Sequence, residues 1–149
     1  MNKVTLDFPS ISQRMKMLAF PEDIDLVIGI GSGGVVPAAM VAHQLGKDLR
    51  ILWLNFRDPL NAPRYAEPQL LEPFYLSAVP KRHVLLVDDV SVSGHTLETA
   101  KRLLASHQVT TMVCKGKADL VLYTDVPQCV NWPWKSNGSR IASTPEKAT

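Results

Sequence analysis

Residues 84–96 read VLLVDDVSVSGHT. Val84 to Val87 complete a short buried strand that opens at His83, and two carboxylates, Asp88 and Asp89, stand at its carboxyl end. Val90 to Gly94 reads as a loop, and His95 to Ser106 as a helix with Leu97, Leu103 and Leu104 as core candidates. The loop has a chemical use. Ser91, Val92, Ser93, Gly94, His95 and Thr96 can aim successive backbone N–H groups at one point, beside the positive end of the helix and three hydroxyls. That is a phosphate cradle, and Gly94 lets the backbone come close. Asp88 and Asp89 can accept hydrogen bonds from vicinal hydroxyls, so the segment suits a sugar 5-phosphate held by both ends.

Working outward, Ser10 is a plausible N-cap for a helix carrying Ile11, Met15 and Leu18, which Pro21 ends. Ile24 to Ile30 is an apolar strand. The turn Gly31-Ser32-Gly33-Gly34 follows, and then a helix from Val35 to Leu45 with Pro37 in its first turn and Gly46 as its stop. Leu49 to Leu54 is a further strand. Residues 57–80 hold five prolines, Pro59, Pro63, Pro68, Pro73 and Pro80, which excludes a regular helix and limits any strand to a short or edge position. This segment is expected to be a flap over a site. Val109 to Cys114 and Leu120 to Tyr123 read as strands, and residues 135–149 as a polar tail. The order predicts one α/β domain over residues 1–149, with a mainly parallel sheet flanked by helices and a ligand at the strands' carboxyl ends.

Composition narrows the class. The chain has 149 residues, 46% of them hydrophobic and 20% charged, which is the balance of one soluble domain with a sizeable core. A net charge of +2 gives no reason to expect nucleic acid or an acidic membrane as partner. No apolar run is long enough for a membrane span, and MNKVTLDFPSISQRMK lacks the apolar centre of a signal peptide. Cys114 and Cys129 are too few for a disulfide framework or a four-ligand zinc site, so a reduced, cytoplasmic setting is expected.

The stretch VLLVDDVSVSGHT resembles the phosphoribosyl pyrophosphate signature of type I phosphoribosyltransferases, through Asp88, Asp89, Ser93, Gly94 and Thr96. The resemblance implies that the two acids hold the ribose hydroxyls, directly or through Mg²⁺, and that the loop binds the 5-phosphate. GIGSGGVVPAAMVAHQLG, residues 29–46, looks like the family's first βα unit, whose turn contacts pyrophosphate. Backbone groups of Gly31, Ser32, Gly33 and Gly34 would do this here. Ser32 stands where many members carry Arg or Lys, so Arg57 or Arg64 of the flap would supply the charge. A dinucleotide fold is the rival reading of Gly29 to Gly34. It needs an acid at the end of the next strand, where the sequence reads Trp53-Leu54-Asn55-Phe56.

Lys115 ends the strand from Val109, at the point where members that use 6-oxopurines place a lysine on the base's exocyclic oxygen. DLVLYTDVPQCVNWPWK is similar to the end of bacterial and archaeal purine enzymes, in which an aromatic residue stacks on the base and a Pro-Trp pair closes the segment. If Pro133-Trp134 is that pair, the stacking position falls on Cys129, Val130 offers its backbone to the base edge, and Trp132 is the alternative stack. Val92 departs from the 6-oxopurine pattern, which has an Asp there as proton carrier near N7. The resemblance therefore implies a purine phosphoribosyltransferase, 6-oxopurine favoured, that uses Mg²⁺ and forms a homodimer. The alternative is a non-catalytic regulatory relative that binds phosphoribosyl pyrophosphate or a nucleotide. Ser32, Val92 and Cys129 lean towards the alternative. The acid pair, the phosphate loop and Lys115 lean towards chemistry.

Overall fold

The computed structural model describes residues 3–55, 69–70 and 80–135. Along the chain these form β1 (Val4–Thr5), α1 (Phe8–Lys16), β2 (Leu26–Gly31), α2 (Val35–Leu45), β3 (Asp48–Asn55), β4 (Gln69–Leu70), β5 (His83–Ser91), α3 (His95–Leu103), β6 (Gln108–Gly116), β7 (Leu120–Val121) and β8 (Val130–Asn131). Six strands make one sheet in the order β4-β3-β2-β5-β6-β7, and β1 with β8 makes a separate parallel pair. All pairings are parallel except that of β3 with β4. The α/β class and the mainly parallel sheet are as the sequence pattern implies. No helix among the described residues is long and apolar enough to cross a membrane.

β2 is buried at all six positions, because helices cover both faces of the sheet. Alternation along β5 divides its side chains between two cores. Leu85 and Val87 join Val27, Met112 and Cys114 under α1 and α2. Val84 and Leu86 join Ile28, Leu52 and Val113 under α3. α2 and α3 thus lie on opposite faces, and the chain leaves adjacent strands β2 and β5 in opposite directions. This reversal opens a crevice at the carboxyl ends of β2 and β5, the place where open parallel sheets bind ligands.

Several boundaries differ from the sequence reading. α1 is capped by Asp7, not Ser10: Asp7 Oδ1 accepts from the Ser10 N–H at 2.9 Å, with Pro9 inside the first turn. Ile11 and Met15 are buried as expected, while Leu18 lies past the helix end. β2 begins at Leu26 rather than Ile24. β5 does not stop before the acids but runs to Ser91, because β6 continues beside it with Val90 opposite Lys115 and Ser91 opposite Gly116. α3 ends at Leu103, which is exposed, whereas Leu97 and Leu104 are buried. β1 and β8 have no alternation long enough to announce them. β4 is a two-residue edge strand inside the proline-rich segment. The rest of the expected flap, with Arg57 and Arg64, lies outside the described residues, as does the tail after Lys135.

Candidate active site

Both signature loops open at this crevice. Asp88 and Asp89 are consecutive strand residues, so their side chains point to opposite faces. Asp88 faces the α3 side. Together with Ser91, Ser93, Gly94 and Thr96 it lines a small pocket open to solvent. Gly94 caps α3 with a φ of +83°, a conformation that glycine adopts without strain. Ser93 Oγ accepts from the His95 N–H at 3.4 Å. Ser91 Oγ is buried with no hydrogen-bond partner among the described residues. Val92 is well exposed.

Asp89 faces the α2 side and meets the glycine turn after β2. A Cβ on Gly33 would lie 2.6 Å from Asp89 Oδ1, so only a glycine allows this approach. Gly34 is wedged between Ile30 and β5, and its N–H donates to the Ile30 carbonyl at 2.7 Å. That corrects one expectation: the Gly34 donor closes the turn and is not free for a ligand. Gly31 packs on the Trp53 ring, and the Gly31–Ser32 peptide is cis. Ser32 is exposed.

Each acid is held by the next backbone N–H. Asp88 Oδ1 accepts from Asp89 and Asp89 Oδ1 from Val90, both at 2.8 Å. Burial, and then the neighbouring Asp89 carboxylate, push the Asp88 acid well above the usual carboxylate range. Burial likewise pushes the Cys114 thiol up, so this cysteine is an inert core residue. Lys135 Nζ lies 2.7 Å from Asp89 Oδ2. No residue pattern near Lys135 announces this contact, since the lysine follows Trp134 in what reads as a polar tail.

The Lys115 side chain extends from β6 and donates to the Gln128 carbonyl. This joins Lys115 to the segment expected to hold a base. β1 takes the carbonyls of Cys129 and Asn131 through Val4 and Leu6, at 2.9 and 3.3 Å. The Val130 carbonyl between them therefore points away from β1. Cys129 is exposed. Trp132 corrects its expected role. Its ring is 4% exposed, stacked on Trp134 at 5.3 Å and 6.1 Å from the Tyr123 ring, so it packs in the core instead of presenting a face to a base. The Arg14 guanidinium, 4.4 Å over the Tyr123 ring and 3.2 Å from Asp125, ties this segment to α1.

The model of the phosphoribosyl transferase domain family matches residues 10–131. The chain belongs to the phosphoribosyltransferase family. Among curated relatives it is 31% identical to an orotate phosphoribosyltransferase of Sulfurisphaera tokodaii, over 56% of this chain and 38% of that one. It is 37% identical to an adenine phosphoribosyltransferase of Anaeromyxobacter dehalogenans, over 56% of this chain and 52% of that one. The chain thus spans about half the length, or less, of these phosphoribosyltransferases. Among solved structures, a purine phosphoribosyltransferase from Pyrococcus horikoshii superposes with a TM-score of 0.73 at 21% identity, covering 92% of this chain and 97% of that one. The last likeness is one of fold.

Proposed function

We propose that this phosphoribosyltransferase-family chain transfers ribose 5-phosphate from phosphoribosyl pyrophosphate to a purine, with a 6-oxopurine preferred, and releases pyrophosphate. The observation that carries the reading is the junction of the two loops at one crevice: the Ser91–Thr96 cradle on one side of β5, and the Gly33 turn against Asp89 on the other. In the reaction the bond from ribose C1 to pyrophosphate breaks and a bond from C1 to a base nitrogen forms. Positive charge builds on the ribose as the leaving group departs. Asp88 and Asp89 hold the ribose hydroxyls, and their carboxylates stabilise that charge. The cradle fixes the 5-phosphate, so catalysis rests on positioning.

One carboxylate of the pair would suffice to hold Mg²⁺, since Asp88 and Asp89 point to opposite faces and Asp89 is paired with Lys135. Among the described residues no three His, Cys, Asp or Glu side chains form a closed metal cage. Mg²⁺ commonly binds through one or two carboxylates and completes its shell with water and substrate phosphate. Bound with the donor, Mg²⁺ would supply charge neutralisation to the leaving pyrophosphate. The support for a 6-oxopurine is Lys115, whose ammonium keeps donors beyond its bond to Gln128, two residues before Val130.

The test is an assay of the purified chain with phosphoribosyl pyrophosphate, Mg²⁺ and a panel of bases. Release of pyrophosphate with formation of a purine nucleotide is expected. A donor that raises the melting temperature without turnover on any base would indicate the regulatory alternative. A melt unchanged by millimolar donor and Mg²⁺ would overturn both readings.

A further inference from the structure

The described residues place a cation against the acid pair from outside either signature motif. Lys135 Nζ is 2.7 Å from Asp89 Oδ2, and its side chain is 53% exposed while that of Asp89 is 8% exposed. The lysine is not a loose surface charge. Its N–H donates to the Trp132 carbonyl at 3.1 Å, and Trp132 is a core residue on which Trp134 stacks. The backbone that carries Lys135 is therefore anchored in the core, and the ammonium reaches back to the carboxyl end of β5.

Gly33 packs against the same carboxylate, where an added Cβ would lie 2.6 Å from Oδ1 and 2.8 Å from Oδ2. The Gly31–Gly34 turn contains no ionisable side chain. A pyrophosphate bound there would approach the Asp89 carboxylate with like charge. An ammonium beside that carboxylate turns the repulsion into attraction. The contact is an ion pair rather than a hydrogen bond, since Asp89 Oδ2 accepts none among the described residues, and the ammonium's donors can serve phosphoryl oxygens.

We propose that Lys135 is a pyrophosphate-binding cation of the site: its ammonium neutralises Asp89 and binds the pyrophosphate end of the donor at the uncharged Gly31–Gly34 turn. The proposal rests on the phosphoribosyl pyrophosphate reading and deepens it. Lys135 binds and orients; no bond-making step is assigned to it.

Calorimetric titration of the full chain in Mg²⁺ tests this, with inorganic pyrophosphate and ribose 5-phosphate as separate probes. Lys135→Met should weaken pyrophosphate binding about tenfold or more, the loss of a charge-assisted contact. Ribose 5-phosphate, held by the cradle, should change by less than about threefold. Lys135→Arg should recover most of the pyrophosphate affinity. Lys135→Met that binds pyrophosphate as tightly as the parent, or more tightly, overturns the proposal. So does equal loss for both probes together with a lowered melting temperature, which would mark a structural lysine. A parent chain that binds neither probe would sink the donor reading as well, whereas one that binds both and is indifferent to position 135 would sink the lysine alone.

Discussion

The backbone of Gly33 is packed against the carboxylate of Asp89, so that a Cβ at position 33 would lie 2.6 Å from Oδ1 and 2.8 Å from Cγ. The two loops of the crevice are thereby held at a fixed separation by a residue with no side chain. Gly33→Ala must displace one of them. The backbone at Gly33 does not have a positive φ, so alanine brings no torsional strain. The variant is expected to melt within a few degrees of the parent and to lose about 10²-fold in turnover, the effect of a misplacement near 1 Å. Full turnover in Gly33→Ala would remove the contact from the catalytic geometry.

Asp88 makes a prediction with a sign in pH. Burial and the Asp89 carboxylate favour its neutral form in the fold, while an unfolded aspartate ionises near pH ~3.9. The stability from neutral Asp88 is therefore complete below that pH, and it is lost as pH rises through the higher folded value. Asp88→Asn stays neutral throughout. The metal-free variant should out-melt the parent by a margin that grows from about pH 4 upward. The same substitution, alone or with Asp89→Asn, should abolish turnover, because the site loses a carboxyl group that bound donor and Mg²⁺ would draw into its ionised form. Melting curves across pH, run beside the assay, separate the two effects. A margin that shrinks with rising pH would contradict the burial argument.

Two glycines with positive φ separate backbone strain from crowding. Gly46 caps α2 at φ +67°, with nothing within 4 Å of an added Cβ. Gly46→Ala should cost about 1–2 kcal/mol, from the left-handed backbone alone. Gly116 has φ +119° and lies opposite Ser91, whose backbone an added Cβ would strike. Gly116→Ala should cost about 2–5 kcal/mol, because collision adds to strain. It should also disturb the cradle, since Ser91 is the residue pushed. Urea midpoints of the two variants check the order, and equal costs would deny the collision.

What was legible in the sequence followed from local chemistry. The helix from Val35 to Leu45 could be bounded because a glycine turn precedes it and Gly46 stops it. The acid pair and the loop after it stood out because their residue types, at adjacent positions, suit one ligand. The extension of β5 through Asp88 and Asp89 was not, because carboxylates read as the end of a strand and only the neighbouring β6 keeps the ladder going. Nor was the fate of Trp132, whose burial is decided by Tyr123 and Trp134 packing around it. Lys135 gave no signal at all: its partner Asp89 is distant in sequence and is brought to it by the fold.

The last prediction concerns base choice and sets Lys115 against Val92. Lys115 is a donor, fixed in place by its bond to the Gln128 carbonyl beside β8. A donor there suits the exocyclic oxygen of hypoxanthine, guanine or xanthine and opposes the amino group of adenine. A site built on such a hydrogen bond can reject the unmatched analogue by ~10⁴–10⁵. Lys115→Met should therefore lose most of the preference among purines as well as most of the rate. Val92 pulls the other way, because it lacks the ionisable group that a proton carrier at N7 needs. General acid–base help contributes typically ~10²–10⁴-fold, so the parent should be slow rather than inert. Val92 is 71% exposed at the rim of the pocket, so an aspartate there meets water and costs the core nothing. Val92→Asp should leave the melting temperature within a few degrees and raise turnover on a 6-oxopurine by about tenfold or more. Competition between hypoxanthine and adenine, measured on the parent and both variants, decides the matter. Preference for adenine or for a pyrimidine in the parent would overturn the role given to Lys115, while leaving the acid pair and the cradle in place.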